Sequence, residues 1–170
     1  AVGLGGVGVS AVAKYLLAQG KHVAGSDPQS SPLIDDVVRH GAEYLGEADA
    51  DRISNTIDFL IYSDACPNDH PERQRAATLG IPSLSFAAAL GEIMKPYPHR
   101  LAISGTNGKS TTTALTGLLL KEAGRDPTVF VGSRVGAFDG NLHLGGKQYF
   151  VAEGDEYRNR FYELHPTVLT

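Results

Sequence analysis

Apolar residues in the first half of the chain follow two patterns that alternate. Residues 9–19, 32–41, 70–80 and 86–95 carry apolar side chains at helical spacing, and the first three of these segments end at or next to a glycine. Short apolar runs at 22–27, 57–63 and 81–85 lie between them, and the run at 57–63 is continuous, as in a strand buried on both faces. Strands that alternate with helices of about ten residues predict βαβ units and a parallel sheet.

The pattern breaks at "KPYPH", residues 95–99, and then starts again. Two prolines in this stretch remove backbone donors and stiffen the chain, so we predict one domain over 1–97 and a second over 98–170. The second half predicts a strand at 100–104, a helix at 109–123 and strands at 128–133 and 149–153, with a glycine-rich excursion at 135–148. The chain begins and ends inside apparent strands, which indicates a piece of a longer protein.

Composition narrows the class of protein. The 170 residues are 42% hydrophobic and 20% charged, as in an ordinary globular protein, and the formal net charge of −4 gives no sign of a nucleic-acid surface. No apolar run is long enough to cross a bilayer. The single cysteine, Cys66, cannot form an internal disulfide, which fits a reducing compartment. We therefore expect a cytoplasmic protein without nucleic-acid or membrane partners.

A first glycine loop, "GLGGVG", lies between a predicted strand and a predicted helix. Gly3, Gly5 and Gly8 form a GxGxxG pattern, which permits a tight turn, close approach to a pyrophosphate and close packing of helix on strand. The helix N-terminus would offer N–H groups to a phosphate, and Asp27 ends the next strand, where an acidic residue can hold a ribose. The loop predicts a Rossmann-like domain, with either NAD or a nucleotide-sugar diphosphate as its ligand.

A second glycine loop, "SGTNGKSTTT" at 104–113, lies between the strand at 100–104 and the helix at 109–123. It resembles a P-loop, although Ile103 stands where the usual pattern has its first glycine. Backbone N–H groups would surround a phosphate, Lys109 would supply positive charge, and the Ser110 hydroxyl would bind Mg²⁺. The predicted ATP-binding residues are Gly105, Thr106, Asn107, Gly108, Lys109, Ser110 and Thr111.

Three carboxylates follow the strand at 149–153. Glu153, Asp155 and Glu156 crowd together where the strand ends. Ligands of α/β proteins bind at the carboxyl ends of strands, and oxygen ligands suit a hard cation. The three carboxylates therefore predict a site for a hard cation at this end of the strand.

Taken together, these motifs resemble the Mur ligase family of ATP-dependent amide ligases, which build the peptide of bacterial peptidoglycan. "SGTNGKSTTT" is similar to the family's short P-loop, and "VAEGDE" to its magnesium strand. "GLGGVGVS", "GSD", "SDACPNDHPE" and "DPTVFVGSRV" are most similar to the branch that joins L-alanine to UDP-N-acetylmuramate. That branch commonly has His and Thr where Asn107 and Ser110 stand. "GDEY", with Tyr157, is instead similar to the branch that ligates murein tripeptide onto UDP-N-acetylmuramate, so both branches stay open.

The resemblance implies a role for each half of the chain. The first domain would bind the UDP part of UDP-N-acetylmuramate, and the second would begin a P-loop α/β ATPase domain that binds ATP and Mg²⁺. The substrate carboxylate would attack the γ-phosphate, and the amine of an amino acid or peptide would then displace phosphate from the acyl phosphate. A third domain, absent here, would receive that amine, so this fragment alone would be inactive. An NAD(P)-dependent oxidoreductase and a non-catalytic UDP-sugar-binding fragment are the other hypotheses.

The site residues implied in this way fall into three groups. Lys109 and Glu153 are the expected catalytic residues, with Ser110 and Glu153 as metal ligands. Arg134 is placed to contact a phosphate or sugar of the substrate. The other expected substrate-binding residues are Gly5, Gly6, Val7 and Gly8 at the diphosphate, Ser26 and Asp27 at the uridine, and Ser63 and Ala65 beside the same pocket.

Overall fold

The computed structural model describes residues 1–138, 140–154 and 161–170. It consists of two compact units, unit 1 (Ala1–Ala89) and unit 2 (Leu90–Thr170). The division falls within a helix, Phe86–Met94, a few residues before the prolines at which we placed the domain boundary. In the part of the chain that is described, no helix combines the length and the apolar character needed to cross a membrane.

The elements of unit 1 follow the predicted alternation of strand and helix. Each predicted helix and strand is present, although the strands are shorter than the apolar runs that predicted them. One short strand and one turn of 3₁₀ helix, Ala50–Arg52, were not predicted. In chain order the elements are α1 (Val7–Ala18), β1 (Ala24–Gly25), α2 (Pro32–Arg39), β2 (Glu43–Tyr44), β3 (Leu60–Tyr62), α3 (Pro71–Thr78), β4 (Ser83–Ser85) and α4 (Phe86–Met94).

All strand pairings described in unit 1 are parallel. β1 pairs with β2, and β3 pairs with β4. Val2 forms parallel bridges to both Ser26 and Tyr62, so it lies between the β1 side and the β3 side of the sheet. The strands therefore lie side by side in the order β2, β1, Val2, β3, β4. All of them point the same way, but the chain moves outward from Val2 to one side with β1 and β2 and to the other side with β3 and β4. This confirms the predicted α/β class with parallel pairing, and the point of reversal is where such sheets bind ligands.

Two of the apolar clusters in the described residues belong to unit 1. The first contains Leu4 with residues of α1, α2 and the strands next to them, and the second contains Val2 with residues of β3 and α3. α2 has a well-formed N-terminus, because the Ser31 hydroxyl accepts a hydrogen bond from the Ile34 N–H at 3.3 Å and Pro32 occupies the first turn. A buried ion pair between Lys14 and Asp36, 2.7 Å apart, joins α1 to α2.

Unit 2 has a five-stranded sheet with α5 packed against it. Its elements are β5 (His99–Ile103), α5 (Lys109–Glu122), β6 (Thr128–Val135), β7 (Gly140–His143), β8 (Tyr149–Glu153) and β9 (Val168–Leu169). The strand order is β7, β6, β8, β5, β9, and among the strand pairs of the described residues only β6 and β7 are antiparallel. α5 lies close to the sheet because Gly117 has no side chain; a Cβ there would be 2.7 Å from a methyl carbon of Val129.

β7 lies inside the stretch that we predicted as a glycine-rich excursion. It pairs with β6 through Phe130 and Leu142 and through Val129 and His143. Its two central residues, Asn141 and Leu142, are both buried, and "GNLH" has only three side chains beyond its glycine, too few to show the alternation that indicates a strand. The prediction was wrong here because a polar residue occupies a buried strand position.

Candidate functional site

The first glycine loop turns tightly at the centre of the unit 1 sheet. Gly3 has φ +77°, its N–H donates to the carbonyl oxygen of Ser26 at 2.9 Å, and its own carbonyl accepts from the Gly6 N–H at 3.0 Å. α1 begins at Val7, and no side chain caps its N-terminus. The first turn of a helix leaves N–H groups without intrahelical partners, and such a terminus attracts anions. Gly5, Gly6, Val7 and Gly8 thus lie where a diphosphate would be held.

Two of the three pattern glycines are required by the protein's own packing. A Cβ on Gly8 would lie 2.6 Å from atoms of the Phe86 ring, and a Cβ on Gly3 would lie 2.9 Å from the Cβ of Ser63. Gly3 therefore permits the turn, and Gly8 permits α1 to pack against the start of α4. These are two of the roles that the GxGxxG pattern serves in dinucleotide-binding loops.

The two residues expected at the uridine behave differently. The Asp27 carboxylate accepts from the Gly5 N–H at 2.9 Å and from the Gln29 N–H at 3.1 Å, so it holds the glycine loop while remaining half-buried. The Ser26 side chain is buried and donates to the Glu72 carboxylate. The Ser26 hydroxyl is therefore engaged inside the protein, whereas Asp27 keeps exposed surface beside the loop.

Ser63 and Ala65 follow β3, on the other side of Val2 from Asp27. The Ser63 N–H donates to the Val2 carbonyl at 2.9 Å, and the Ser63 hydroxyl accepts from the Ala65 N–H at 3.3 Å. The structure therefore brings the glycine loop, the end of β1 and the end of β3 to one edge of the sheet. The carboxyl ends of the strands lie at this edge, and the loops meet at the point where the strand order reverses.

A cavity of about 690 Å³ extends along β1 and β3 and is lined from Lys21 to Ser26 and from Asp58 to Ile61, so it is not confined to the carboxyl ends of these strands. Apolar residues of α1 and of the strands line much of it, together with residues 52–58. Because ligands of α/β sheets bind at the carboxyl ends of the strands, we do not assign a substrate to this cavity.

The second glycine loop joins β5 to α5 in unit 2. Gly105 has φ +143° and Gly108 has φ +79°, which are conformations that favour glycine. Thr106, Asn107 and Thr111 are exposed. The loop therefore presents its backbone to solvent in front of the N-terminus of α5, as a phosphate cradle requires.

Lys109 and Ser110 begin α5 and are both half-buried. The Lys109 ammonium donates to the Gly105 carbonyl at 2.7 Å, so the side chain folds over the loop. An ammonium has three donors on a flexible stem, so this side chain could turn toward a phosphate held in the loop. Its position across the loop is the one that the P-loop pattern predicts for this lysine.

Glu153 lies beside the second glycine loop, because β8 pairs with β5 and places it opposite Ile103. Its Oε1 accepts from the Gly132 N–H at 2.5 Å, and a Cβ on Gly132 would lie 2.7 Å from its Oε2. Gly132 thus leaves room for this carboxylate at the sheet edge. Arg134 lies two residues farther along β6 and is exposed.

The oxygen donors suit a divalent cation such as Mg²⁺. The Glu153 carboxylate and the Ser110 hydroxyl are hard ligands carried by neighbouring elements of one sheet edge. Asp155 and Glu156 lie outside the described residues. Within the described part of the chain, no group of three or more His, Cys, Asp or Glu side chains is placed to hold a metal. The residues present therefore fit a site that phosphate oxygens and water would complete, as is usual for Mg²⁺.

Cys66 has the environment of a structural thiol. Burial raises the pKa of the Cys66 thiol, although the neighbouring Arg73 guanidinium acts in the opposite direction. The thiolate is the nucleophilic form of cysteine, and a raised pKa disfavours it.

The sequence did not single out Glu72 and Gly132, which contact Ser26 and Glu153, or Arg73, which holds the loop after β3. Arg73 donates to the carbonyl oxygens of Cys66 and Pro67, both at 2.9 Å, and its guanidinium lies 3.7 Å from the centre of the Tyr62 ring. An acidic residue followed by a basic residue at a helix start is an ordinary pattern, and a lone glycine in a strand is equally unspecific. Only the folded arrangement distinguishes these residues.

Comparison with known proteins identifies the family. The family described as "Mur ligase family, catalytic domain" matches residues 1–98, more than half of the chain. The chain belongs to the Mur ligase family. The resemblance that the two glycine loops and the acidic strand predicted is therefore confirmed at the level of the family.

Several curated relatives of this Mur ligase chain share one name. The chain is 41% identical over 167 residues to the UDP-N-acetylmuramate–L-alanine ligase of Lachnospira eligens, an alignment that covers 98% of the chain and 36% of that protein. It is 40% identical over 166 residues to the enzyme of the same name from Acetivibrio thermocellus, covering 97% of the chain and 35% of that protein. The chain thus spans about a third of the length of these relatives.

Solved structures agree on the fold. The UDP-N-acetylmuramate–alanine ligase of Thermotoga maritima superposes with a TM-score of 0.90 at 31% identity, over 99% of this chain and 39% of that one. A UDP-N-acetylmuramate:L-alanyl-γ-D-glutamyl-meso-diaminopimelate ligase from Neisseria meningitides superposes with a TM-score of 0.89 at 22% identity, over 99% of this chain and 57% of that one. The second likeness shows a shared fold alone.

Proposed function

We propose that the full-length protein is an ATP-dependent ligase that joins L-alanine to the carboxylate of UDP-N-acetylmuramate, in bacterial cell-wall synthesis. The observation that carries the proposal is the pairing of Ile103 with Glu153, which sets a carboxylate beside a lysine-bearing glycine loop. The relatives named UDP-N-acetylmuramate–L-alanine ligase support the choice of substrates. We expect the enzyme to act in the cytoplasm.

In unit 2, the proposed role of the chain is to bind ATP and to offset developing charge. The backbone of Gly105–Lys109 would surround the β-phosphate, and the Lys109 ammonium would turn from the Gly105 carbonyl to the β- and γ-phosphates. Ser110 and Glu153 would hold Mg²⁺, which when bound offsets negative charge on the phosphates. Positioning and charge neutralisation dominate phosphoryl transfer, so no protein nucleophile is required.

In unit 1, the proposed role is to bind the UDP part of the substrate. The N-terminus of α1, with Gly5 to Gly8, would take the diphosphate, and Asp27 would face the uridine. Ser63 and Ala65 would border the pocket from the β3 side. The substrate carboxylate would attack the γ-phosphate, and the amine would then displace phosphate from the resulting acyl phosphate.

Two other functions make different predictions. A murein-peptide ligase would accept a tripeptide in place of L-alanine; the motif that favours it, "GDEY", lies mostly outside the described residues. An NAD(P)-dependent oxidoreductase would explain the first glycine loop, but it would give the second loop and Glu153 no role. Rates with L-alanine and with tripeptide as acceptor, and titration with NADH, separate the three.

The experiment that tests the proposal is Lys109→Ala in the full-length protein. We expect ATP-dependent amide formation to fall at least about a hundredfold, since one electrostatic donor to a transition state contributes on that scale, while the Kd for UDP-N-acetylmuramate stays unchanged. Lys121→Ala, in the last turn of the same helix, is the matched control and should keep wild-type turnover. Turnover retained by Lys109→Ala would refute the ATP site, and wild-type protein that binds NADH but no UDP-sugar would refute the ligase.

A further inference from the structure

A buried carboxyl group connects α3 to the end of β1. Glu72, the second residue of α3, is 2% exposed. Its Oε2 accepts a hydrogen bond from the Ser26 hydroxyl, and its Oε1 accepts from the Asp49 N–H at 3.3 Å. Burying a carboxyl group costs free energy unless its oxygens are hydrogen-bonded, and here both oxygens have partners in segments distant along the chain. The side chain therefore fixes the end of β1 relative to α3.

The end of β1 in turn sets the shape of the glycine loop. The Ser26 carbonyl accepts from the Gly3 N–H at 2.9 Å and from the Leu4 N–H at 3.1 Å. The next residue, Asp27, accepts from the Gly5 N–H through its carboxylate. Glu72 thus lies one side-chain hydrogen bond away from the residue that anchors the first turn of the loop.

We propose that Glu72 is a positioning residue for UDP-substrate binding, which acts through Ser26 on the glycine loop and on Asp27. It is buried beneath Ser26 and does not itself touch the substrate. The proposal rests on the function proposed for unit 1. It also changes the role expected of Ser26, whose hydroxyl connects Glu72 to the loop rather than contacting uridine.

A purely structural Glu72 would support the fold of unit 1 without affecting substrate affinity. The two possibilities differ in what a conservative change alters. Glu72→Gln keeps the size of the side chain but replaces the carboxylate with a neutral amide. The bond to Ser26 is weakened, because the amide can accept from the Ser26 hydroxyl only as a neutral group, or must donate its NH₂ to the Ser26 oxygen while it accepts from the Asp49 N–H. If the hydrogen bond to Ser26 positions the loop, the binding of the UDP substrate must weaken while the ATP site is unaffected.

The test uses the full-length protein with UDP-N-acetylmuramate and ATP as the titrated ligands. For Glu72→Gln we expect the Kd and KM for UDP-N-acetylmuramate to rise about tenfold, the scale of one hydrogen bond. The KM for ATP and the kcat at saturating substrate should stay within about twofold of wild type. Glu43→Gln, the same change at an exposed residue of β2, is the matched control and should bind like wild type.

The route through Ser26 has its own measurement. If Glu72 acts by way of the Ser26 hydroxyl, the Ser26→Ala/Glu72→Gln double variant should bind no more weakly than the weaker single variant. Additive losses would overturn that route, and an unchanged Kd in Glu72→Gln would overturn the proposal itself. Should Glu72→Gln fail to fold, Ser26→Ala removes the same bond and must raise the Kd by a similar factor. Failure of the wild-type protein to bind UDP-N-acetylmuramate would instead refute the proposed function.

Discussion

The ion pair between Lys14 and Asp36 allows the cost of one buried interaction to be predicted. The Lys14 ammonium lies 2.7 Å from Asp36 Oδ2, and the two side chains are 3% and 2% exposed. Lys14→Met removes the charge and keeps a long apolar side chain. Because the Asp36 carboxylate would stay buried without its main partner, we expect unit 1 to lose stability.

The remaining partners of Asp36 set the size of the loss. Breaking a buried pair by removing one partner costs about 3–5 kcal/mol. Arg39 still lies 2.7 Å from Asp36 Oδ1, but its side chain is 66% exposed and therefore screened by solvent. We place the expected loss for Lys14→Met near the lower limit, at about 3 kcal/mol. Arg39→Ala, which removes the exposed partner, should cost only about 0–1 kcal/mol.

The measurement is urea-induced unfolding of Lys14→Met, Arg39→Ala and the double variant Lys14→Met/Asp36→Leu at neutral pH. Replacing both charges with apolar groups is often nearly neutral, so the double variant should recover most of the loss. A Lys14→Met variant within about 0.5 kcal/mol of wild type would refute the reasoning, because surface substitutions lie in that range. A double variant less stable than the single one would refute it equally.

The same pair predicts an acid dependence. Burial alone would raise the pKa of Asp36, but the hydrogen bond and charge of Lys14, with the charges of His40 and Arg39, hold the pKa below its ordinary value. The ionised form is therefore favoured in the folded state. Its contribution to stability is present above the unfolded-state pKa of about 4 and is lost as the pH falls through the lower folded-state pKa. Asp36→Asn should reduce the loss of stability below about pH 4.

Two further predictions concern unit 2. Gly117→Ala should destabilise it by about 1–3 kcal/mol, because a Cβ would lie 2.7 Å from a Val129 methyl carbon. The control in the same denaturation assay is Gly136→Ala, where a Cβ would meet nothing within 4 Å. Equal stabilities of the two variants would contradict the prediction. Burial, with a smaller effect of Lys121, lowers the pKa of His143, while Asp126 opposes this. The unfolded state then binds more protons, so stability should fall as the pH drops below about 6.5, and His143→Gln should remove that component. The comparison is the free energy of unfolding at two pH values, and an unchanged difference in His143→Gln would show that the histidine does not contribute.

Local patterns were sufficient to predict most elements and both glycine loops. A strand, a glycine-rich turn and a helix that follow directly in sequence must form a connected loop, so Gly3 to Gly8 and Gly105 to Ser110 could be placed without knowledge of the rest. β7 was missed because it is short and carries a polar residue, Asn141, at a buried position, while its pairing with β6 is not visible in the residues of either strand. The predicted strands were too long because an apolar run indicates burial, which continues beyond the hydrogen-bonded pairs.

Side-chain partners were the part of the site that the sequence could not supply. Asp27 was placed correctly at the end of β1, but nothing in the sequence indicates that its carboxylate binds the Gly5 N–H. Likewise, Ser26 and Glu72 are 46 residues apart, and their hydrogen bond exists only because folding brings the start of α3 next to the end of β1. Sequence motifs indicate at which edge of a sheet a ligand binds. The hydrogen bonds that fix the conformation of the loops at that edge come from residues distant along the chain.

Asn107 is a motif residue whose side chain bears on the choice between the two ligase branches. Its side chain is exposed, while the turn around it depends on the positive φ angles of Gly105 and Gly108. A phosphate in such a loop is held by backbone N–H groups, the α5 N-terminus and the Lys109 ammonium. The side chain at 107 can therefore change without altering that cradle, so Asn in place of the branch's usual His does not argue against ATP binding. The same reasoning means that position 107 cannot decide which acceptor is used, and only the comparison of L-alanine with tripeptide can.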